Sequence, residues 1–329
     1  MARFDKIIGQ KKAKNKLSLF IDSYSNNGNC FPVIFLKSPK GFGKTFIAKE
    51  LAKIIPTRES LDKRKDDPEA KLQSKKTIVI NCSGIKNLEQ FIELWQNSIQ
   101  DKECVVLFDE CHQIPNTCEQ YMLSLFDTIT DMKNAKNQVE ISRAADDYVL
   151  EVDFQKQIFI FATTEYDKVF HALTDRFEEI NLEKYTKEDR FSILKQYVTG
   201  KLEIEDDLLR EISTYCENSP RKLIQLTNNL IRSSNESLSK EGWELIKGSL
   251  GLKRYGLSDA HMLVLSKLSE KRGSGIQLSV IASILKTPRN AVQKTIEPLL
   301  IENGLIETRE MSRRFITLKG IKLLERNNN

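Results

Sequence analysis

The sequence predicts an α/β fold in which buried parallel strands alternate with amphipathic helices. Four short apolar runs have the length expected of strands that are covered on both faces, and they lie at residues 33–36, 77–81, 104–108 and 157–162. Apolar residues at helical spacing fill segments between these runs, for example 44–55 and 88–99. This alternation is typical of a parallel sheet covered by helices.

The first predicted strand leads directly into a glycine-containing loop and then a helix. Residues 38–45 read SPKGFGKT, and the helix ends before Pro56. Backbone N–H groups at a helix N-terminus form an anion site where glycines let the backbone approach closely. The loop therefore predicts a phosphate site, and the alternative is a strand–helix junction that happens to contain Gly-Lys-Thr.

The same loop is similar to the nucleotide-binding pattern G-x-x-x-x-G-K-[ST]. In that pattern Lys44 would contact the β- and γ-phosphates, and the Thr45 hydroxyl would hold Mg²⁺. Ser38 stands where the pattern has its first glycine. We expect Ser38 to take the turn with β-region dihedral angles, so the departure weakens the match without removing it.

Two carboxylates follow the third predicted strand. Asp109 and Glu110 stand at its carboxyl end, where α/β sheets bind their ligands. Asp109 would orient Mg²⁺ through water, and Glu110 would polarise an attacking water, since phosphoryl transfer needs both a positioned metal and a positioned nucleophile. The alternative is a pair of carboxylates that caps the following helix.

The fourth predicted strand delivers Thr163, Thr164 and Glu165 to the same edge, where a hydroxyl could sense a γ-phosphate. Residues 131–154, just before it, alternate like two antiparallel strands and predict an inserted β-hairpin. Residues 57–76 are polar and charged without periodicity, so we expect a mobile surface insertion there.

A helical region follows the predicted sheet. Ser219 is expected to cap a helix with Pro220 at its first position, which puts Arg221 in the first turn. A cation there opposes the helix dipole, so a nearby anion is expected, either a nucleotide phosphate or a neighbouring carboxylate. Arg176 follows a short helix and, on the residues alone, could be a surface charge.

The last quarter of the chain carries the net positive charge. Residues 256–329 hold twelve Lys and Arg against seven Asp and Glu, which accounts for the net charge of +5. Three short helices, then two strands joined by a basic turn at 310–314, are the order of a winged helix. Arg313 and Arg314 at the turn could contact phosphates or a groove. The alternative is a protein-binding winged helix with a solvated basic wing.

Targeting and redox features point to the cytosol. No apolar run approaches 18 residues, and the N-terminus has no signal-peptide pattern. The six cysteines form no C-x-x-C pair, so reduced thiols are expected, with metal binding by Cys111, His112 and Cys118 as the alternative.

Taken together, these segments resemble the AAA+ ATPases, and most closely the RuvB family of Holliday-junction branch-migration motors. The similar pieces span nearly the whole chain: FDKIIGQ, SPKGFGKT, VVLFDECH, FATTE, LTDRFEEINLEKYT, NSPRKLIQLTNNL, GLSDAHMLVLSKL and TIEPLLIENGLIETREMSRR. The resemblance implies an AAA+ domain at 1–182 with the hairpin at about 131–154, a helical lid domain at 183–254 and a DNA-binding winged helix at 255–329.

The resemblance also implies roles for individual residues, with ATP/ADP and Mg²⁺ as cofactors. The nucleotide would be held by Ile7, Ile8, Gly41, Phe42, Gly43, Lys44, Thr45, Phe46, Tyr185, Pro220 and Arg221. The metal would be held by Thr45 and Asp109. The residues implied to act in catalysis are Glu110, Thr164, Arg176 and Arg221. Those implied to contact DNA are Arg309, Arg313 and Arg314.

Arg176 matches the arginine finger of the family, which acts on ATP held by the neighbouring subunit. The resemblance therefore implies a ring, expected to be a hexamer. The hairpin matches the one that engages RuvA, the junction-binding adaptor, although it lacks the usual Gly-Pro-rich tip and the segment 57–76 looks inserted.

The leading functional hypothesis is an ATP-driven double-stranded-DNA translocase of the branch-migration type. A clamp-loader-like ATPase, which opens a protein ring on DNA, shares the same nucleotide-site residues and is the first alternative. A DNA-binding adaptor that uses ATP only as a structural switch is the second, and the presence of Glu110 and Arg176 speaks against it.

Overall fold

The computed structural model describes residues 4–127, 129, 131–133, 135–142, 147–216, 219–309 and 312–327. The chain divides into two compact units, Met1–Thr186 and Lys187–Asn329. None of the described helices combines the length and the apolar character that a membrane crossing requires.

A five-stranded parallel sheet forms the centre of the first unit. Its strands are β1 Ile34–Lys37, β2 Lys76–Asn81, β3 Cys104–Asp109, β6 Gln157–Thr163 and β7 Glu178–Asn181, in the order β2-β3-β6-β1-β7. The register pairs Asp109 with Ala162, and Lys37 with Thr163. The carboxyl ends of β1, β3 and β6 therefore lie at one edge, and the predicted parallel α/β fold is confirmed.

Six α-helices belong to the described part of this unit: α1 Lys11–Asn27, α2 Lys44–Ile54, α3 Arg58–Asp66, α4 Leu88–Leu94, α5 Asn116–Leu125 and α6 His171–Thr174. Trp95 begins a π-helical turn after α4 and stacks on Phe159, with ring centroids 5.8 Å apart. Phe126 packs edge-on against Phe159 and Phe161. This aromatic layer packs on β6, which lies beside β3. The edge where β3 and β6 end carries Asp109 and Glu110 and is called the acidic edge.

The predicted hairpin is present as β4 Lys136–Ser142 and β5 Asp147–Asp153, which pair in antiparallel register. Ile141, Leu150 and Val152 are buried against the core of the unit, whereas their strand neighbours are exposed. The period-two pattern therefore reports one covered and one open face. The tip at 143–146 lies outside the described residues.

The expectation of a segment without periodic structure at 57–76 is wrong for residues 58–66, where helix α3 forms and is anchored, while most of the segment is exposed as predicted. The Thr57 side chain caps α3 by accepting the Ser60 N–H at 3.3 Å. Glu103 accepts the backbone N–H groups of Arg58 and Glu59, and also the ammonium of Lys75 at 2.8 Å. The Lys75 side chain is fully buried.

All six cysteines are buried and unbridged. Burial raises the pKa of the Cys111 thiol to about 12, so it stays protonated at neutral pH. Among the described residues, no group of three His, Cys, Asp or Glu side chains could hold a metal ion.

The second unit begins with four helices, α7 Lys187–Val198, α8 Asp206–Ile212, α9 Pro220–Ser233 and α10 Lys240–Ser249. Their apolar faces enclose a core that includes Leu194, Leu223 and Trp243. Trp243 is fully buried and meets the Tyr215 ring edge-on at 5.2 Å.

The rest of the second unit has its own core and a winged-helix order of elements. These are α11 Asp259–Glu270, β8 Ile276–Gln277, α12 Leu278–Ile284, α13 Arg289–Thr295, α14 Glu297–Glu302, β9 Ile306–Arg309, β10 Arg313–Ile316 and α15 Leu318–Asn327. The three strands pair in the order β8-β10-β9. The predicted third helix is two helices, α13 and α14, and β8 and α15 were not predicted.

Candidate active site

The glycine-containing loop joins β1 to α2 with the backbone that the pattern requires. Gly41 and Gly43 have φ of 83° and 93°, which side chains with a Cβ disfavour. Ser38 is not among the described non-glycine residues with positive φ, in agreement with its expected dihedral angles. The buried Lys44 ammonium donates to the carbonyl groups of Ser38 at 3.2 Å and Pro39 at 3.5 Å, so it lies inside the loop.

Thr45 and Asp109 meet at the end of the sheet. The Thr45 hydroxyl donates to Oδ2 of Asp109 at 3.4 Å, although the two residues are 64 positions apart in the chain. Oδ1 of Asp109 accepts the Glu110 N–H at 3.1 Å. A hydroxyl and a carboxylate beside a phosphate loop are the oxygen donors that Mg²⁺ uses in phosphoryl-transfer sites, so these residues fit a metal there.

Glu110 has a left-handed backbone and a fixed carboxylate. Its φ and ψ are 54° and 47°, a conformation that costs a non-glycine residue roughly 1–2 kcal/mol. Oε2 accepts both the N–H of Thr164 at 3.3 Å and its hydroxyl at 3.1 Å. The turn at Glu110 and the end of β6 thus hold the carboxylate at the acidic edge.

His112 belongs to the same cluster and was not identified as part of this edge from the sequence. Its Nδ1 lies 2.8 Å from the Thr163 hydroxyl and 3.5 Å from Oε2 of Glu110, and its side chain is buried. Its only signal in the sequence is the position two residues after Glu110, which places it on the same turn.

Two of the predicted nucleotide-binding residues, Phe42 in the loop and Tyr185, contact each other. Tyr185 donates its hydroxyl to the carbonyl of Phe42 at 3.1 Å, and the two rings are 5.9 Å apart. Ile7 is buried and Ile8 is half-buried, whereas Phe46 is 46% exposed. Phe42 and Tyr185 are therefore packed together, and Phe46 faces solvent.

Gln10 ties the N-terminal segment to this region and was missed by the sequence analysis. Its side-chain amide donates to the Glu183 carbonyl and accepts the Glu183 N–H, both at 2.8 Å. The pair brings the segment that contains Ile7 next to the strand end that leads to Tyr185. Gln10 has a φ of 52°, and a polar residue before a helix gave no indication of such a distant partner.

Arg176 follows α6 and is partly exposed. Its Nε lies 3.4 Å from Oδ1 of Asp127, and its Nη1 donates to the Ala172 carbonyl. The contacts described for Arg176 thus lead to Asp127 and Ala172, and none joins it to the phosphate loop of its own chain.

Pro220 and Arg221 lie in the second unit at the start of α9. Pro220 occupies the first turn as predicted, and the Arg221 side chain is exposed. Ser219 is at the N-cap position as predicted, although its side chain makes no capping hydrogen bond.

The wing arginines have protein partners. Arg314 is buried, and its Nε donates to Oε1 of Glu297 at 2.6 Å. The charge of Arg314 is therefore committed inside the domain, and its contact with DNA stays a prediction. Nη1 of Arg313 donates to the Ser274 carbonyl at 2.7 Å, and Nε of Arg309 donates to Glu307 at 2.8 Å. Residues 310–311 of the wing lie outside the described residues.

Family comparison agrees with this combination of fold and site. Residues 34–185 match the family described as ATPase family associated with various cellular activities (AAA). The fold and the site thus define an AAA+ ATPase, a nucleotide-binding enzyme. Residues 254–325 match the RuvB C-terminal winged helix domain. The chain is therefore RuvB-like, with an AAA+ ATPase domain followed by a winged helix of the RuvB type.

Individual relatives cover nearly the whole chain. The Holliday junction branch migration complex subunit RuvB of Mycoplasmopsis pulmonis is 27% identical over 98% of this chain and 96% of its own. The protein of the same name from Campylobacter hominis is 25% identical over 98% of this chain and 88% of its own. The solved structure of the Thermotoga maritima RuvB Holliday junction branch migration motor aligns with a TM-score of 0.69 at 21% identity, covering 98% and 96% of the two chains. This structural likeness concerns the fold.

Proposed function

We propose that this protein is an ATP-driven translocase on double-stranded DNA, of the Holliday-junction branch-migration type, that works as a ring. The observation that carries the proposal is the presence, in one chain, of the acidic edge beside a phosphate loop and of a RuvB winged helix. The relatives that cover nearly the whole chain bear the name of a branch-migration complex subunit.

Nucleotide binding is assigned to the loop between β1 and α2. The Lys44 ammonium lies inside the loop, where it donates to loop carbonyls, and it would turn from them toward the oxygens of a bound phosphate. Gly41 and Gly43 let the loop backbone approach them. Thr45 and Asp109 would hold Mg²⁺, whose chemistry is to neutralise charge on the phosphates. Phe42 and Tyr185 would line the base, with the N-terminal segment held beside them by Gln10.

Hydrolysis is assigned to Glu110, which would orient and polarise the attacking water. Thr164 presents two donors to Oε2, and these leave Oε1 to accept a hydrogen bond from water. Because Thr164 directly follows β6 and Glu110 directly follows β3, a shift between these neighbouring strands would move the carboxylate. This coupling supports a sensor role for Thr164.

Arg176 is assigned to the active site of the neighbouring subunit. Its described contacts are with Asp127 and Ala172, and none of them is with its own phosphate loop. An arginine supplied by a neighbouring subunit stabilises the negative charge that develops on the phosphates during hydrolysis. The proposal therefore includes a ring, with a hexamer as the expected assembly.

The hairpin β4–β5 is assigned to a RuvA-like adaptor. Its inner face is covered by the core, and its outer face carries Val149, which is 40% exposed. The support for this assignment is the resemblance of residues 131–154 to the hairpin that engages RuvA in the RuvB family.

The test is the steady-state ATPase rate with four-way junction DNA, linear duplex or no DNA, over a salt titration. DNA stimulation that fades with salt is expected, since phosphate contacts release counterions. Hydrolysis that no DNA changes would contradict the translocase and would move the assignment to a clamp-loader-like role. The RuvB winged helix at 254–325 does not favour that role, because clamp loaders usually close their ring with a helical collar.

A further inference from the structure

Three exposed cations of the winged helix lie on α13 and in the turn that precedes it. Lys286, Arg289 and Lys294 are all exposed. Among the described residues, no ion pair joins any of them to a carboxylate, whereas Arg309 and Arg314 are paired with Glu307 and Glu297. We call Lys286, Arg289 and Lys294, together with the exposed Asn290 and Gln293, the basic helix face.

The stretch of chain that carries the basic helix face contains no compensating carboxylate. Residues 278–296 contain three cations and no Asp or Glu. The next carboxylate, Glu297, is buried against Arg314 and does not reach the surface. The segment therefore presents net positive charge to solvent, which is the electrostatic footprint of a polyanion site.

The fold fixes this face outward. Val292, on the opposite side of α13, is 1% exposed and belongs to the core of the winged helix. Asn290 and Lys294 are one helical turn apart, as are Arg289 and Gln293, so their side chains form two adjacent rows. Amide and cationic donors in rows at this spacing suit a line of phosphate oxygens.

Lys286 adds an independent observation. It lies in the turn between α12 and α13 with a φ of 50°, where glycine is the ordinary residue. The turn is closed by backbone bonds from Lys286 to Ser283 at 3.1 Å and from Thr287 to Ala282 at 3.0 Å. A strained lysine at the exposed end of this turn adds a cation at a backbone cost that a structural role would not require.

We propose that the basic helix face binds the phosphate backbone of duplex DNA and carries most of the electrostatic contact that the winged helix makes. The inference rests on the proposed function and names a DNA-binding element other than the wing arginines. Because the contact is with phosphates, it is independent of base sequence, as a protein that moves along DNA requires.

The test compares two double variants of the full chain that remove the same charge, in the presence of the same nucleotide. Arg289→Gln/Lys294→Gln alters the basic helix face, and Lys322→Gln/Arg326→Gln alters exposed cations of α15. Affinity for a linear duplex of mixed sequence is measured by fluorescence anisotropy over a range of salt. We expect the first variant to bind about tenfold more weakly and to lower the slope of log affinity against log salt by about 1.8, and the second to match the wild type.

Lys286→Gly separates binding from folding. Glycine relieves the left-handed backbone, so thermal unfolding is expected at the wild-type temperature or above it, while duplex affinity falls. Wild-type binding and salt slope in both Lys286→Gly and Arg289→Gln/Lys294→Gln would overturn the inference and leave the translocase standing. An equal loss in Lys322→Gln/Arg326→Gln would also overturn it, since general charge would then explain the effect. A wild-type chain that binds no duplex would overturn the proposed function and this inference together.

Discussion

Thr164 fixes the Glu110 carboxylate through its backbone N–H and its hydroxyl. Only the hydroxyl can be removed by substitution, and Thr164→Val keeps the shape of the side chain while removing it. We expect kcat for ATP hydrolysis to fall about a hundredfold, the size of effect that a misplaced reacting group produces, with little change in nucleotide affinity.

Thr164→Ser is the matched control, because it retains the donor and should keep most of the rate. The measurement is single-turnover hydrolysis together with nucleotide binding by equilibrium titration. A Thr164→Val variant as fast as Thr164→Ser would show that the hydroxyl does not position Glu110.

The buried pair of Arg314 and Glu297 makes a prediction at the level of the winged-helix elements, because it joins β10 to the start of α14. Both side chains are 9% exposed, so removing one partner leaves a charge without compensation. We expect Arg314→Met to lower the free energy of unfolding by about 3–5 kcal/mol, and the double variant Arg314→Met/Glu297→Leu to recover most of the loss.

Arg309→Met is the control for that pair, since Arg309 is exposed and should change stability by no more than about 0.5 kcal/mol. Urea unfolding of the full chain, followed by a probe in the winged helix, measures all three. The structural role of Arg314 would be contradicted if Arg314→Met and Arg309→Met unfolded at the same urea concentration.

The anchor of α3 gives a prediction of pH dependence. Burial lowers the pKa of Lys75 from its ordinary value of 10.5, against the opposing effect of Glu103. Between the folded and the unfolded pKa of Lys75, the folded state binds fewer protons than the unfolded state. The free energy of unfolding therefore rises with pH in this range, because the buried ammonium loses its charge. In Glu103→Gln the folded pKa should fall further, which lowers stability at neutral pH and makes the rise with pH larger.

Unfolding free energy measured from neutral pH toward pH 10.5 checks this prediction. Glu59→Gln is the matched control, because Glu59 is an exposed carboxylate on the same helix and should leave both the stability and its pH dependence unchanged. Parallel curves for Glu103→Gln and the wild type would contradict the anchoring role.

The predictable elements were those whose signal is local. The phosphate loop, the hairpin and helix α9 each follow from residue types within a single stretch of chain. Helix α3 was missed because its sequence RESLDKRKD has no apolar face, and its stability comes from Glu103, 45 residues from Arg58. The pairing of Arg314 with Glu297 was missed for the same reason, since periodicity does not report a partner 17 residues away.

At the scale of the whole molecule, Arg176 and Glu110 are proposed to complete active sites of different subunits. Arg176→Ala should bind ATP normally and lose hydrolysis by roughly 10³- to 10⁵-fold, and Glu110→Gln should also be inactive. Mixing the two inactive proteins should restore hydrolysis, because a Glu110 from one subunit then meets an Arg176 from its neighbour. With random mixing in equal amounts, roughly a quarter of the interfaces would be intact.

The steady-state ATPase rate of the mixture, with each variant alone as control, measures this complementation. A mixture that stays as inactive as its components, while native mass spectrometry finds both variants in one assembly, would contradict an arginine that acts in trans.

The left-handed backbone of Glu110 has a consequence for how this protein can evolve. Glycine or asparagine would cost less backbone strain at that position, so selection for thermal stability alone would favour replacing the residue to which hydrolysis is assigned. A heat-resistant descendant therefore has to gain its stability elsewhere in the chain. Loss of Glu110 in a lineage would mark a protein that has given up hydrolysis and kept the fold.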